Sequence, residues 1–163
     1  HNLETSQRYY EKICTTHRWQ ERYETCLRVK ESGLFLCSGG IFGLGESPED
    51  REMFIQSIKE LSPATMPLNF YHHNPALPLK ANPLSEEEAL EIIKKVRVAL
   101  PQTMLMVAGG REITFKNRQC DIFAAGADAI VIGDYLTTKG QPPKADLDMI
   151  KSLGYGIATQ CHT

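Results

Sequence analysis

Cys37 is the residue around which chemistry could be built. It lies in Leu36-Cys-Ser-Gly-Gly-Ile-Phe-Gly-Leu-Gly-Glu46, behind the apolar run Gly33-Leu-Phe-Leu36 and ahead of Ser47-Pro-Glu-Asp-Arg51. A thiolate is both a nucleophile and a soft-metal ligand. Glycines at 39, 40, 43 and 45 let main chain pass close to a ligand. Arg111 follows Gly109-Gly110; its planar fork of donors ordinarily binds a phosphate or carboxylate, or forms a structural ion pair. Three further groups of polar side chains stand beside turn residues: Asn2 with Glu4, His72-His73-Asn74 before Pro75, and Thr137-Thr138 before Lys139-Gly140. His72 and His73 are adjacent, so in extended chain they point to opposite sides and cannot share one metal.

The elements that must position these residues follow from the periodicity. Trp19, Tyr23, Cys26, Leu27 and Val29 recur at helical spacing up to Gly33, a helix stop. Leu34–Cys37 is predicted as a short strand, with Cys37 at its carboxyl end. Ser47 is an N-cap with Pro48 at the first helical position and acids behind it, opening a helix to Leu61. Met66–Tyr71 is a predicted strand that breaks into a loop stiffened by Pro75 and Pro78. Ser85 caps a helix ended by Pro101, with Ala89, Leu90, Ile92, Ile93, Val96 and Ala99 inside.

Met104–Ala108 is predicted as a buried strand and Lys116–Ala125 as a helix. Asp128–Ile132, apolar on both faces, is predicted as a strand buried on both sides, and Lys144–Leu153 as a last helix. Strands separated by helical crossovers make an α/β fold with a parallel sheet. Polar and glycine residues gather at the predicted carboxyl ends of all four strands, the active face of a (β/α) barrel. Four strands cannot close such a barrel, so the fold class is a partial TIM-type (β/α) barrel, with residues 1–163 as one half.

The totals narrow the function. A chain of 163 residues, 42% hydrophobic, is long enough for one domain with a sizeable core. A net charge of −2 gives no electrostatic reason for nucleic acid as a partner. No apolar run approaches the roughly 20 residues of a membrane helix, and no signal peptide opens the chain, which places it in the cytoplasm. The cysteines at 14, 26, 37, 120 and 161 have no paired spacing and are read as reduced thiols, without a zinc site. The chain opens on His1-Asn-Leu-Glu-Thr-Ser, inside a polar segment, and is expected to be a piece of a longer protein.

The ordered set His1-Asn-Leu-Glu-Thr5, Thr15-Thr-His17, Cys37 to Glu46, Asn74-Pro75, Ala108-Gly-Gly-Arg-Glu112 and Tyr135-Leu-Thr-Thr-Lys-Gly140 resembles the biotin synthase family of radical S-adenosylmethionine enzymes, its epsilonproteobacterial branch most closely. The resemblance covers essentially the whole chain as the second half of that barrel. It implies sulfur insertion into dethiobiotin and a homodimeric full-length parent. It also implies S-adenosylmethionine, a [4Fe-4S] cluster and a [2Fe-2S] cluster as cofactors.

By that resemblance Cys37 is one thiolate ligand of the [2Fe-2S] cluster and Arg111 its unusual fourth ligand. Asn2 and Glu4 lie near the cosubstrate, Glu4 where aspartate is usual, and Asn2 lies near the substrate too. Gly39, Ile41, Gly43 and Glu46 fit a GxIxGxxE pattern near adenine. Asn74 meets the ureido ring of dethiobiotin, and Thr137 and Thr138 its carboxylate. The CxxxCxxC loop that binds the [4Fe-4S] cluster is absent, as are the other thiolates of the [2Fe-2S] cluster. Both are expected upstream of His1, so the chain alone is expected to be inactive.

Two other readings stay open. Ala108-Gly-Gly110 with Gly126-Ala-Asp-Ala-Ile-Val-Ile-Gly133 also looks like the paired phosphate-binding strand ends of many barrels. A half-barrel could instead be a non-catalytic scaffold whose sheet edges pair with another half. Locally, Cys37 fits a small packed residue, Asn74 an Asx turn, and Thr137 and Thr138 a helix cap.

Overall fold

Four parallel strands lie side by side in the order in which the chain makes them: β1 (Gly40–Phe42), β2 (Thr65–Phe70), β3 (Met104–Val107) and β4 (Ala129–Ile130). The computed structural model describes residues 1–76, 78–79, 81–135 and 138–158. Around the sheet run α1 (Gln7–Tyr10), α2 (Trp19–Glu31), α3 (Pro48–Leu61), α4 (Glu86–Ala99), α5 (Arg111–Phe115), α6 (Asp121–Ala124) and α7 (Pro143–Ser152). Sequential parallel order with helical connections is the arrangement of a (β/α) barrel, here carried through four strands.

Side chains alternate across a strand, so register sorts them onto two faces. Phe42, Met66, Leu68, Phe70, Leu105 and Val107 point outward and are no more than 2% exposed. Phe54 and Ile58 of α3, Ile93 and Val96 of α4, and Phe115 of α5 belong to the same core. Each such aliphatic or aromatic side chain contributes about 1.5–3 kcal/mol by leaving water. Phe42 sits edge-on to Phe54 at 5.5 Å, and Phe70 edge-on to Phe115 at 5.0 Å, the geometry aromatic quadrupoles favour.

The two long central helices start where expected. Ser47 accepts from Asp50 N while Asp50 accepts from Ser47 N, and Ser85 and Glu88 form the same reciprocal box. On the amino side of the sheet the Arg97 guanidinium donates to the carbonyls of Gly126, Leu100, Pro101 and Thr103 and pairs with Asp128. Asp128 accepts in turn from Leu105 N at 2.8 Å.

Three elements differ from expectation. The helix expected over 116–125 is divided: α5 begins at Arg111 behind Gly110, whose φ of 82° suits glycine, and a 3-10 turn over Lys116–Arg118 separates it from α6. Lys116 at φ 46° breaks the helical run. The strand expected over 128–132 is reduced to Ala129–Ile130, half-buried, with Ile132 44% exposed. It is the last strand of the sheet, so one side of its ladder has no partner strand among the described residues. The third difference concerns β1 and moves Cys37.

Candidate functional site

Leu34 and Phe35, expected to begin a short strand, are 65% and 74% exposed. The chain joins the sheet only at Cys37, as a bridge to Thr65, and regular pairing follows through Gly40–Phe42. Gly40 is therefore the first residue of β1, with Gly39 just ahead of it. Cys37 stands at the amino end of the ladder, level with the first residues of β2 and β3, and the carboxyl end of β1 is Phe42-Gly43. Leu36 and Ser38 are buried while Cys37 is exposed. By alternation Cys37 shares the inner face with Gly39, Ile41, Thr65, Pro67, Asn69, Met104 and Met106.

The glycines at 39 and 40 let neighbouring main chain pack closely against them. A Cβ at Gly39 would overlap Pro67 O, and one at Gly40 would overlap Glu4 O. Gly43 and Gly45 have φ of 88° and 99° and form the turn into α3. Glu46 is buried beneath this turn: Oε1 accepts from Gly43 N at 2.8 Å and from Arg51 Nε at 2.7 Å, while buried Oε2 has no hydrogen-bond partner.

A further edge is added to β1 by residues 1–5. Glu4 forms a parallel bridge with Gly40, Leu3 N donates to Gly39 O at 3.0 Å, and Ile41 N donates to Glu4 O at 2.8 Å. Asn2 Oδ1 accepts from Gly39 N at 3.1 Å. Glu4, at φ 71°, turns its carboxylate toward Arg22 at 3.7 Å. Partial burial raises the Glu4 pKa above the usual carboxylate value, opposed by the Arg22 charge and a hydrogen bond with Asn2. Asn2, Glu4, Cys37, Gly39 and Ile41 thus occupy neighbouring positions on adjacent chain segments.

Arg111 lies elsewhere. Its side chain is 0% exposed and pairs with the equally buried Asp146 of α7 at 2.8 Å. It also donates to Gln119, to Glu112 Oε1 at 3.1 Å and to Val131 O at 3.3 Å. Tyr135 donates to both oxygens of Glu112 at 3.1 Å; burial and the Glu112 charge push its pKa up to about 12. Phe70 N donates to Gly109 O, which places the chain before Arg111 level with the last residue of β2, five residues beyond the Thr65 level of Cys37. At about 3.3 Å per residue that is about 16 Å along the sheet, with two strand spacings of about 4.8 Å across it. Metal–ligand bonds are about 2 Å. The structure does not bring Cys37 and Arg111 together, and that separation counts against one shared inorganic centre.

The amides are also distributed differently from expectation. Asn74 is exposed and its Oδ1 accepts from Ala76 N at 3.0 Å, an Asx turn. Asn69, which sequence reading passed over, is the amide on the inner face. It donates to Gly40 O at 3.1 Å and accepts from Gly109 N at 2.9 Å, joining three strands. Its trace in the sequence is one amide among apolar residues in Met66-Pro-Leu-Asn-Phe70. Thr138 O accepts from Tyr135 N at 2.9 Å; Thr137 lies outside the described residues, as does Cys161. Cys14, Cys26, Cys37 and Cys120 are free thiols. Among the described residues no three His, Cys, Asp or Glu side chains are grouped to hold a metal, and no helix is long and apolar enough to cross a membrane.

Fold and inner face together define one half of a (β/α) barrel. The chain superimposes on the crystal structure of methylornithine synthase with a TM-score of 0.73, covering 96% of this chain and 51% of that one at 15% identity, a likeness of architecture. Residues 67–156 match the Biotin and Thiamin Synthesis associated domain, and the chain belongs to that family. Over 99% of its length it is 59% identical to a biotin synthase of Sulfurovum, 54% to one of Aliarcobacter butzleri and 52% to one of Campylobacter jejuni. It spans 57 to 58% of the length of those relatives.

Proposed function

We propose that residues 1–163 form the carboxyl-terminal half of a cytoplasmic radical S-adenosylmethionine barrel, homodimeric when intact, that inserts sulfur into dethiobiotin. The observation that carries this reading is identity of 52 to 59% to biotin synthases across 99% of the chain. In it, Asn2, Glu4, Gly39, Ile41 and Gly43 border S-adenosylmethionine, and Glu46 braces the turn beneath through the Gly43 amide. Glu4 meets ribose hydroxyls as an acceptor, and Arg22 keeps its carboxylate oriented.

Cys37 is the proposed ligand of the [2Fe-2S] cluster: an exposed thiol on the open inner face is free to bind iron. The residues present fit one ligand of that cluster and not a full set, and the [4Fe-4S] cluster finds no ligands among the described residues. Arg111 is left out of the proposed ligand set, because both terminal nitrogens of its guanidinium are engaged with Asp146, Glu112, Gln119 and Val131 and only the buried Nε has no hydrogen-bond partner; its part is to fasten α7 to the strand ends. Thr138, with Thr137, is proposed at the dethiobiotin carboxylate. Asn74 is proposed at the ureido ring through its Nδ2 donors, with Oδ1 accepting from the Ala76 amide.

Anaerobic reconstitution of the intact protein with iron and sulfide tests this. Two clusters are expected, and Cys37→Ala should abolish the [2Fe-2S] absorption while leaving the other. A single cluster before and after that change would overturn the reading.

A further inference from the structure

Between α1 and α2 a second thiol, to which the proposed function gives no part, stands in a polar network. His17 Nε2 lies 2.7 Å from Tyr10 OH and 3.1 Å from Arg22 Nε, which also donates to Tyr10 OH at 2.7 Å. A guanidinium can only donate, so Nε2 is the acceptor and the neutral imidazole carries its proton on Nδ1. That Nδ1 faces Thr16 Oγ1 at 2.9 Å and Cys14 Sγ at 3.6 Å. Thr16 Oγ1 lies 3.5 Å from the same sulfur. Cys14 is thus met by hydrogen-bond donors suited to a thiolate.

The setting is open to small molecules. Cys14 and His17 line a cavity of about 570 Å³ with Gln7 and Thr15, a size that takes a small ligand. The charged groups around it are Glu11, Arg18 and Glu21, and Arg18 pairs with Glu21 at 3.1 Å. The hydrogen bond with Thr16 is the main cause that pulls the Cys14 pKa down to about 6. From the far side of the network Arg22 donates to Asn2 O at 2.8 Å and faces Glu4 at 3.7 Å.

We propose that Cys14 is a thiolate modification site for low-molecular-weight disulfides, linked through His17 and Arg22 to the edge segment that carries Asn2 and Glu4. The Cys14 thiolate attacks one sulfur of the disulfide. A mixed Sγ–S bond forms, the original S–S bond breaks, and the second half leaves as a thiolate, with no other oxidant required. The thiol proton passes to solvent. The adduct enters the cavity at the expense of the His17 contact and loosens the hold of Arg22 on residues 2 to 4.

Glutathione disulfide is the probe, applied to the intact reduced protein at about pH 6.5 and followed by peptide mass spectrometry. An unstructured peptide with one cysteine of ordinary pKa, about 8.5, is the reference. A lower pKa raises the thiolate fraction at that pH more than it lowers intrinsic nucleophilicity, so Cys14 should react about five-fold faster than the peptide. His17→Gln should bring the rate down toward the reference. In the adduct, amide hydrogen exchange at residues 2–5 should quicken, and dithiothreitol should restore it. A wild-type rate equal to the peptide's, a measurement that needs no variant, would overturn the modification site. An unchanged rate in His17→Gln would remove the part given to His17, and unchanged exchange in the adduct would overturn the link to the edge.

Discussion

Cys37 and Arg111 stand at opposite ends of one sheet, and their surroundings are opposites too. Arg111 is 0% exposed and held by Asp146, Glu112, Gln119 and Val131, whereas Cys37 is exposed beside Leu34 and Phe35, which are mostly in solvent. A buried charge with this many fixed partners is part of the structure, since removing it leaves the partners uncompensated. An exposed thiol on an open face has little structural work to lose. Of the two residues singled out in the sequence, the one with the richer contacts is the poorer candidate for a ligand.

Substitutions at the two ends should separate them. Asp146→Ala strips the counter-charge from a wholly buried guanidinium, and we expect a loss of about 3–5 kcal/mol in denaturant unfolding of the intact protein. A loss below about 1 kcal/mol would mean that Arg111 has other ways to be neutralised, and the contrast would fail. Between the ends, Asn69→Leu leaves the Gly40 carbonyl and the Gly109 amide without their side-chain partner, for about 1–3 kcal/mol. Smallest of all, Cys37→Ala should leave stability within about 0.5 kcal/mol while removing the proposed cluster ligand.

A third carboxylate sharpens the contrast through pH. Asp50 accepts from Arg8 Nε at 2.8 Å and Ser6 Oγ at 2.9 Å, and Ser47 donates to it as well. The Arg8 hydrogen bond, against the opposing effect of burial, holds its pKa well below the usual carboxylate range. A depressed folded pKa stabilises above the unfolded value of about 3.9 and is lost as pH falls through the folded one. The stability difference between wild type and Asp50→Asn should be full above about pH 4 and shrink below it. Denaturation midpoints across that range check the direction; a constant difference would show that ionisation of Asp50 is not what matters.

The helices were legible because their determinants are local. Ser47 with Asp50 and Ser85 with Glu88 lie three residues apart, and α3 and α4 begin behind them as expected. The four-strand parallel order was legible from the alternation of apolar runs with helical spacing. The place of Cys37 was not, because a glycine run reads as a loop. Here Gly40 opens β1 and Gly39 stands just ahead of it, both needed where Pro67 and Glu4 leave no space for a Cβ. The fate of Arg111 was hidden for another reason: its partner Asp146 is 35 residues on, and nothing in the spacing announces the pair. Asn69 could have been found, as the one amide in a strand whose neighbours are apolar.

Arg97 has a consequence for how the molecule comes apart. Its guanidinium gathers carbonyls from the end of α4, from the approach to β3 and from Gly126 ahead of β4, and Asp128 returns a bond to Leu105 N. Two connections, the one from α4 to β3 and the one from α6 to β4, therefore share one rivet. Those two connections are expected to loosen together rather than one at a time, which amide hydrogen exchange at residues 100–105 and 126–128 would check. Lysine at this position, a point charge on a flexible stem, could not reproduce a fork that spans them both.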